Sequence, residues 1–244
     1  MANPVLARDT FLEAHATAGA SVMTVRGTVL KTALLMLVTA AVAAAVWLTT
    51  DATATSLPTS ITVAAIAGLV LAITTVVKPA WSPVTAPLYA IVEGLLLGGL
   101  TWLIARTPAG RVLAIEALVL TFLVAGMVLT LYATRIIRVT DRLRGVITGA
   151  TLAIVGYYLL ALLLGFAGVR LPFLHDGGWL SIGFSVLVCG VAASNFLLDF
   201  AMIEEASAAG APSFLEWYGA FGVLVTFIWL YLEILRLLGK LQRR

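Results

Sequence analysis

Glu93, Glu116, Asp199 and Glu233 are carboxylic acids embedded in stretches otherwise apolar enough to cross a membrane. A charge at mid-bilayer costs about 3 kcal/mol even on the lenient insertion scale, so each acid calls for a named partner. The chemistry open to such a group is narrow: hold a proton, accept a hydrogen bond from a neighbouring helix, or offer oxygen to a hard cation. Glu93 stands in PLYAIVEGLLLGG with no basic residue within helical reach. It must face the protein interior, either as a hydrogen-bonded acid or as a proton or cation site. Glu116 sits just inside its span, close to Arg111, and is expected to snorkel to the interface or pair with that arginine.

Two later segments are richer. Ser181, Ser185, Cys189 and Ala192 recur at three- and four-residue steps and lead into Asn195 and Asp199, within a run ending SNFLLDFAMIEEA. That spacing puts one small or polar stripe on a single helix face, which is expected to be interior. Asn195 is placed to hold Asp199 by a hydrogen bond, while Glu204 and Glu205 mark the solvated end. The last segment, EWYGAFGVLVTFIWLYLEILRLLG, opens on Glu216 and carries Glu233 further along. In an antiparallel pair turning near 204–213, Asp199 lies level with residues around 218, opposite Glu216, and Glu233 lies about 25 Å away along the axis. Trp229 and Tyr231 read as a membrane-interface belt, and Arg236 can pair with Glu233 on one helix face. Two acids meeting in a dry interior cannot both ionise and would share a proton. Such a pair makes only a weak, permeation-type site, because calcium takes about six to eight oxygens.

Helices must position these groups. Of 244 residues 61% are hydrophobic and 11% charged, with mean hydropathy +1.08, where a soluble domain carries about 25% charged residues. The chain therefore buries its apolar surface in lipid, as an all-α polytopic membrane bundle. Seven spans are expected, at about 29–49, 59–77, 84–105, 112–134, 145–168, 179–203 and 214–238. Residues 1–28 are expected to form a cytosolic leader without a cleaved signal peptide, and 29–244 one transmembrane domain. Pro58, the Lys78–Pro83 turn, Pro108 with Gly110, and Pro172 before His175-Asp176-Gly177-Gly178 supply the breaks.

Basic residues set the orientation. With the amino terminus inside, Arg8, Arg26, Lys31, Lys78, Arg135, Arg138, Arg142 and Arg144 are cytoplasmic, against Arg106, Arg111 and Arg170 outside. A seventh crossing then leaves Arg236, Lys240, Arg243 and Arg244 outside, against the rule; re-entry of the last segment is the alternative. The net charge of +3 reports topology rather than nucleic-acid binding, since these residues fall at loop edges.

Other chemistry finds little support. The histidines are His15 and His175, both in segments expected to face solvent, and neither HExxH nor GxSxG is present, which argues against an intramembrane enzyme. Cys189, the single cysteine, excludes an intrachain disulfide and reads as a small buried hydrophobe. Neither repeated halves nor broken helices favour a secondary transporter. Gly94-Leu-Leu-Leu-Gly98 is a small-xxx-small pattern that lets another helix approach, within the chain rather than between copies.

The sixth-span ending FLLDFAMIE, the terminal WLYLEILRLLG, and the segments PLYAIVEGLLLG and EWYGAFGVLVTFIWLYLEILRLL resemble the bacterial branch of the Bax inhibitor-1 family, related to the transmembrane Bax-inhibitor-motif proteins. The resemblance runs from about residue 30 to the end and is most specific over the last two spans. It implies a seven-helix bundle with the last helix central, in a bacterial plasma membrane, acting as a pH-sensitive leak for calcium or another cation. It further implies gating by two acids on the sixth and seventh helices. Asp199 matches the first, with Leu198 before it where the family has Tyr, and Glu233 matches the second, with Glu in place of Asp. The separation of the two along the chain exceeds that of better-known bacterial relatives, so Glu216 and Glu93 stay open as the second acid. A weak calcium site at Asp199 and Glu233 follows from the same resemblance. The expected partners are the bilayer and the permeant cation, with no cofactor and no nucleic acid, in a monomer or weak oligomer. The competing class is a non-transporting regulator or scaffold that binds a membrane protease or stress-response partner, through loop residues 135–144 or 204–213.

Overall fold

Helix-forming apolar runs separated by proline, glycine and charge leave the backbone one way to satisfy its polar groups in lipid, which is to close every hydrogen bond within the segment. The computed structural model describes residues 21–50, 57–104, 108–166 and 178–242, and among these are seven helices long and apolar enough to span a membrane. They are α1 (Val25–Thr49), α2 (Leu57–Val77), α3 (Ser82–Ile104), α4 (Pro108–Ala133), α5 (Asp141–Phe166), α6 (Trp179–Ala208) and α7 (Leu215–Gln242), with a short 3-10 turn at Pro79–Trp81 between α2 and α3. His15, His175, Arg8, Arg106, Arg170, Arg243, Arg244 and most of the expected leader lie outside the described residues.

Two boundaries differ from expectation in a way that matters. α6 continues past 203 to Ala208, and α7 continues past 238 to Gln242. Glu204, Glu205 and Lys240 end the apolar windows, but they are good helix formers and the backbone continues through them. The turn between the two helices therefore moves to residues 209–214, with Gly210 at φ 73° supplying the left-handed step. α7 is a continuous helix of 28 residues, long enough for a full crossing. It is also the most enclosed of the seven, followed by α6.

The chain divides into two compact units. One holds residues 21–114 with Met202–Val225. In it α3 packs on both α1 and α2. Gly94 and Gly98 explain how closely α3 approaches α1: a Cβ at Gly94 would stand 2.7 Å from Val42 Cβ, and one at Gly98 would stand 2.8 Å from the Ala43 carbonyl. The small-xxx-small pattern thus serves packing inside the chain. Thr39 Oγ1 donates to the Ala90 carbonyl at 3.0 Å, and the Thr75 and Thr85 hydroxyls bond at 2.8 Å, stitching α3 to α1 and to α2. The segment before α1 pairs with the α6–α7 turn, through Met23 N–H to the Ala211 carbonyl at 2.7 Å.

The other unit holds Ile115–Ala201 and the chain from Thr226 onward. Its apolar contacts include Phe122 against Phe227 at 4.8 Å between ring centroids, Tyr157 against Phe184 at 5.1 Å, and Ile147 with Leu198 beside Val139 and Leu143. Glu116 lies on the exposed face of α4, where its carboxyl can reach toward the headgroups.

Candidate functional site

The stripe expected on α6 is interior along its length. Ser181, Ser185, Ala192, Asn195 and Asp199 are all buried and Cys189 is half-buried. From 181 to 199 the stripe spans about 27 Å at the helical rise. Facing residues of α5 and α7 answer it with polar groups of their own.

Asp199 is fully buried, at 0% exposure, and its Oδ2 accepts a hydrogen bond of 2.6 Å from the Thr226 hydroxyl of α7. Asp199 thus lies level with Thr226 rather than with residues near 218, which corrects the expected register opposite Glu216. The cause is the extension of α6, which shifts the turn toward the carboxyl terminus. Asn195, one turn earlier, does not hold Asp199 as expected. Its amide nitrogen donates to Thr151 Oγ1 of α5 at 2.9 Å and to the Val191 carbonyl at 2.8 Å. Its buried Oδ1 accepts from none of the described residues, and an unmet buried acceptor of this kind costs about 1–3 kcal/mol unless water or an ion reaches it.

Glu233, at 2% exposure, is the centre of a second group seven residues beyond Thr226 on α7. Tyr158 of α5 donates its hydroxyl to Glu233 Oε1 at 2.8 Å, and Arg236 Nη1 stands 3.0 Å from both carboxylate oxygens. The guanidinium also donates to the Tyr158 oxygen at 2.6 Å. The ion pair one turn along α7 is present, as its spacing predicts. Tyr231 beside it is buried within the protein, so its ring does not face lipid as a belt residue would, while Trp229 is half-buried. At the far end of α7, Lys240 reaches back to α6, where its Nζ donates to the Ser181 carbonyl at 3.2 Å and to Ser185 Oγ at 2.9 Å.

Asp199 and Glu233 thus have separate hydrogen-bond partners, Thr226 for one and Tyr158 with Arg236 for the other, and the structure brings both onto the α6–α7 side of one unit without joining them. No group of three or more His, Cys, Asp or Glu that could hold a metal ion occurs among the described residues.

The other two candidate gating acids, Glu216 and Glu93, belong to the other unit. Glu216, at the start of α7, pairs with Lys31 of α1, and its Oε1 accepts from the Thr24 backbone N–H at 2.8 Å and hydroxyl at 2.9 Å. Thr24 is also the N-cap of α1, its hydroxyl accepting from Gly27 N–H at 2.9 Å. A Cβ at Gly27 would fall inside the Glu216 carboxylate, so glycine is required for this approach. Glu93 is buried in α3 beside Tyr89, whose hydroxyl is within hydrogen-bonding reach of it, and its Oε2 bonds none of the described residues. Gly68 of α2 leaves the space into which Glu93 points: a Cβ there would lie 2.9 Å from Oε1.

Sequence reasoning missed Thr226, Thr151, Tyr158 and Lys240 as partners, and took Lys31 only as a topology marker. The available signal for Thr226 was a lone hydroxyl in AFGVLVTFIWL, and for Tyr158 a phenol in mid-span.

These features define a polytopic α-helical membrane protein with a buried polar stripe and two separate carboxylate groups along its last two helices. Residues 3–243 match the Bax inhibitor 1 like family, and the chain belongs to it. No curated protein and no solved structure matches the chain.

Proposed function

We propose that this protein is a pH-sensitive leak for calcium or a related cation, with Asp199 as the gating acid. The observation that carries the reading is Asp199 itself, a fully buried carboxylate bonded to Thr226 at one end of a polar stripe about as long as the roughly 30 Å hydrocarbon core. An intramembrane acid facing other helices rather than lipid marks an ion or proton path by default. Asn195 Oδ1, one turn away, adds a buried acceptor that water or a passing cation can satisfy. In the closed state the Thr226 hydroxyl holds the acid between α6 and α7; a change in its protonation alters that bond and biases opening.

Glu233, clamped by Arg236 and Tyr158, anchors the other half of the stripe rather than completing a two-acid cation cage. Calcium passes as a permeant ion and is not retained, because two acids with separate partners supply too few oxygens for tight binding. The amino terminus lies on the cytoplasmic side of a bacterial plasma membrane. Arg236 and Lys240, which break the positive-inside pattern, are bound within the protein, and this lowers their weight in setting topology. Purified protein in liposomes carrying a calcium reporter tests the reading. A calcium flux that varies with pH is expected. Absence of calcium and potassium flux at every pH overturns it in favour of a regulator acting through its loops.

A further inference from the structure

Lys240 has an unusual placement for a lysine in the last turn of a membrane helix. Near a helix end the long stem normally snorkels, keeping the ammonium in water. Here the residue is only 5% exposed while its neighbour Leu241 is exposed, and the ammonium turns inward onto α6. Its seat includes the Ser181 carbonyl at 3.2 Å and Ser185 Oγ at 2.9 Å, both on residues that are 1% exposed. Ser181 lies in the first turn of α6, where the helix dipole disfavours a cation, so the seat does not gather positive charge by itself. The carbonyl and the hydroxyl in it are oxygens of the type with which channels replace the water shell of a permeating ion. An ammonium is a compact monovalent cation on a flexible tether.

The seat is also the first polar position of the stripe that leads through Ser185, Cys189 and Asn195 to Asp199. Arg236, one turn earlier on α7, is engaged by the Glu233 carboxylate and the Tyr158 phenol, which fixes its charge away from this seat. We propose that Lys240 is a tethered blocking cation: its ammonium occupies the seat a monovalent cation would take at the α6-start end of the stripe, and keeps the resting leak low. The inference rests on the leak reading above and names the residue that limits it. A cation moving along the stripe must displace Lys240, against direct charge repulsion at a few ångströms.

The test is potassium flux through the full-length protein in liposomes at fixed neutral pH, for wild type, Lys240→Gln, Lys240→Arg and Ser185→Ala, each checked for a monodisperse, cooperatively melting state. Lys240→Gln is expected to raise potassium flux by about tenfold or more, because a unit charge is removed from a short distance. Lys240→Arg is expected to stay near wild type, since the tethered charge is retained, and Ser185→Ala to give an intermediate rise as the seat loses one oxygen. Should Lys240→Gln fail to fold, the Ser185→Ala rise carries the test. Measurable wild-type flux that neither Lys240→Gln nor Ser185→Ala increases overturns the block while leaving the leak reading in place. Absence of flux in every variant overturns both.

Discussion

Replacing Thr226 with valine removes one hydroxyl and keeps the volume. The hydroxyl oxygen lies 2.6 Å from Asp199 Oδ2, within the range of a charge-assisted O–H···O bond, and both residues are buried. A hydrogen bond to a charged group contributes about 1.5–3 kcal/mol. Taking about 2 kcal/mol as the closed-state loss, the open-to-closed ratio rises about 30-fold if the open state lacks this bond. Calcium entry into reporter-loaded liposomes reads that ratio, and thermal melting in detergent reads any loss of fold stability. Thr226→Ser, which keeps the donor, should retain most of the wild-type behaviour. A Thr226→Val protein with wild-type flux at every pH would refute the role of this bond in gating. If it also melted at the wild-type temperature, the bond would contribute nothing measurable to stability either.

Three further outcomes follow from packing and charge. Gly94→Ala should lower stability by about 1–3 kcal/mol, because its methyl would meet Val42 and the Thr39 carbonyl, whereas Gly145→Ala on α5, with open space at its Cβ, should be neutral; detergent melting curves separate the two. Lys31→Met should cost about 1–2 kcal/mol, since Glu216 is 9% exposed at its side chain and keeps only the Thr24 donors, and the double change with Glu216→Gln should cost less than the sum of the singles. Tyr158→Phe removes the phenol shared by Glu233 and Arg236 and should cost about 1 kcal/mol in melting without abolishing the pH response of flux, which the account assigns to Asp199.

The seven spans were legible because apolar runs of membrane length admit only helices, and the interior face of α6 was legible because small and polar residues recur at helical steps from Ser181 to Asp199. The pairing of α6 with α7 was not. Hydropathy windows stop at Glu204 and at the tail charges, while the helices run on to Ala208 and Gln242, and a shift of a few residues in the turn is doubled in the register across it. That is why Thr226, and not a residue near Glu216, meets Asp199. The fate of each charge was likewise hidden, because it depends on contacts distant in sequence. Lys31 reads as a loop-edge marker until α1 and α7 are brought together at Glu216, and Lys240 reads as a tail charge until α7 carries it back to Ser185. Arg236 beside Glu233 was readable because both lie on one helix.

The most direct measurement is the pH dependence of calcium flux through reconstituted wild type and Asp199→Asn, compared at equal protein incorporation. Asparagine preserves the shape and can still accept from Thr226, but it cannot titrate. Wild-type flux should change across acidic to neutral pH, and Asp199→Asn flux should no longer follow pH. An Asp199→Asn protein with the wild-type pH profile would contradict the assignment of gating to Asp199.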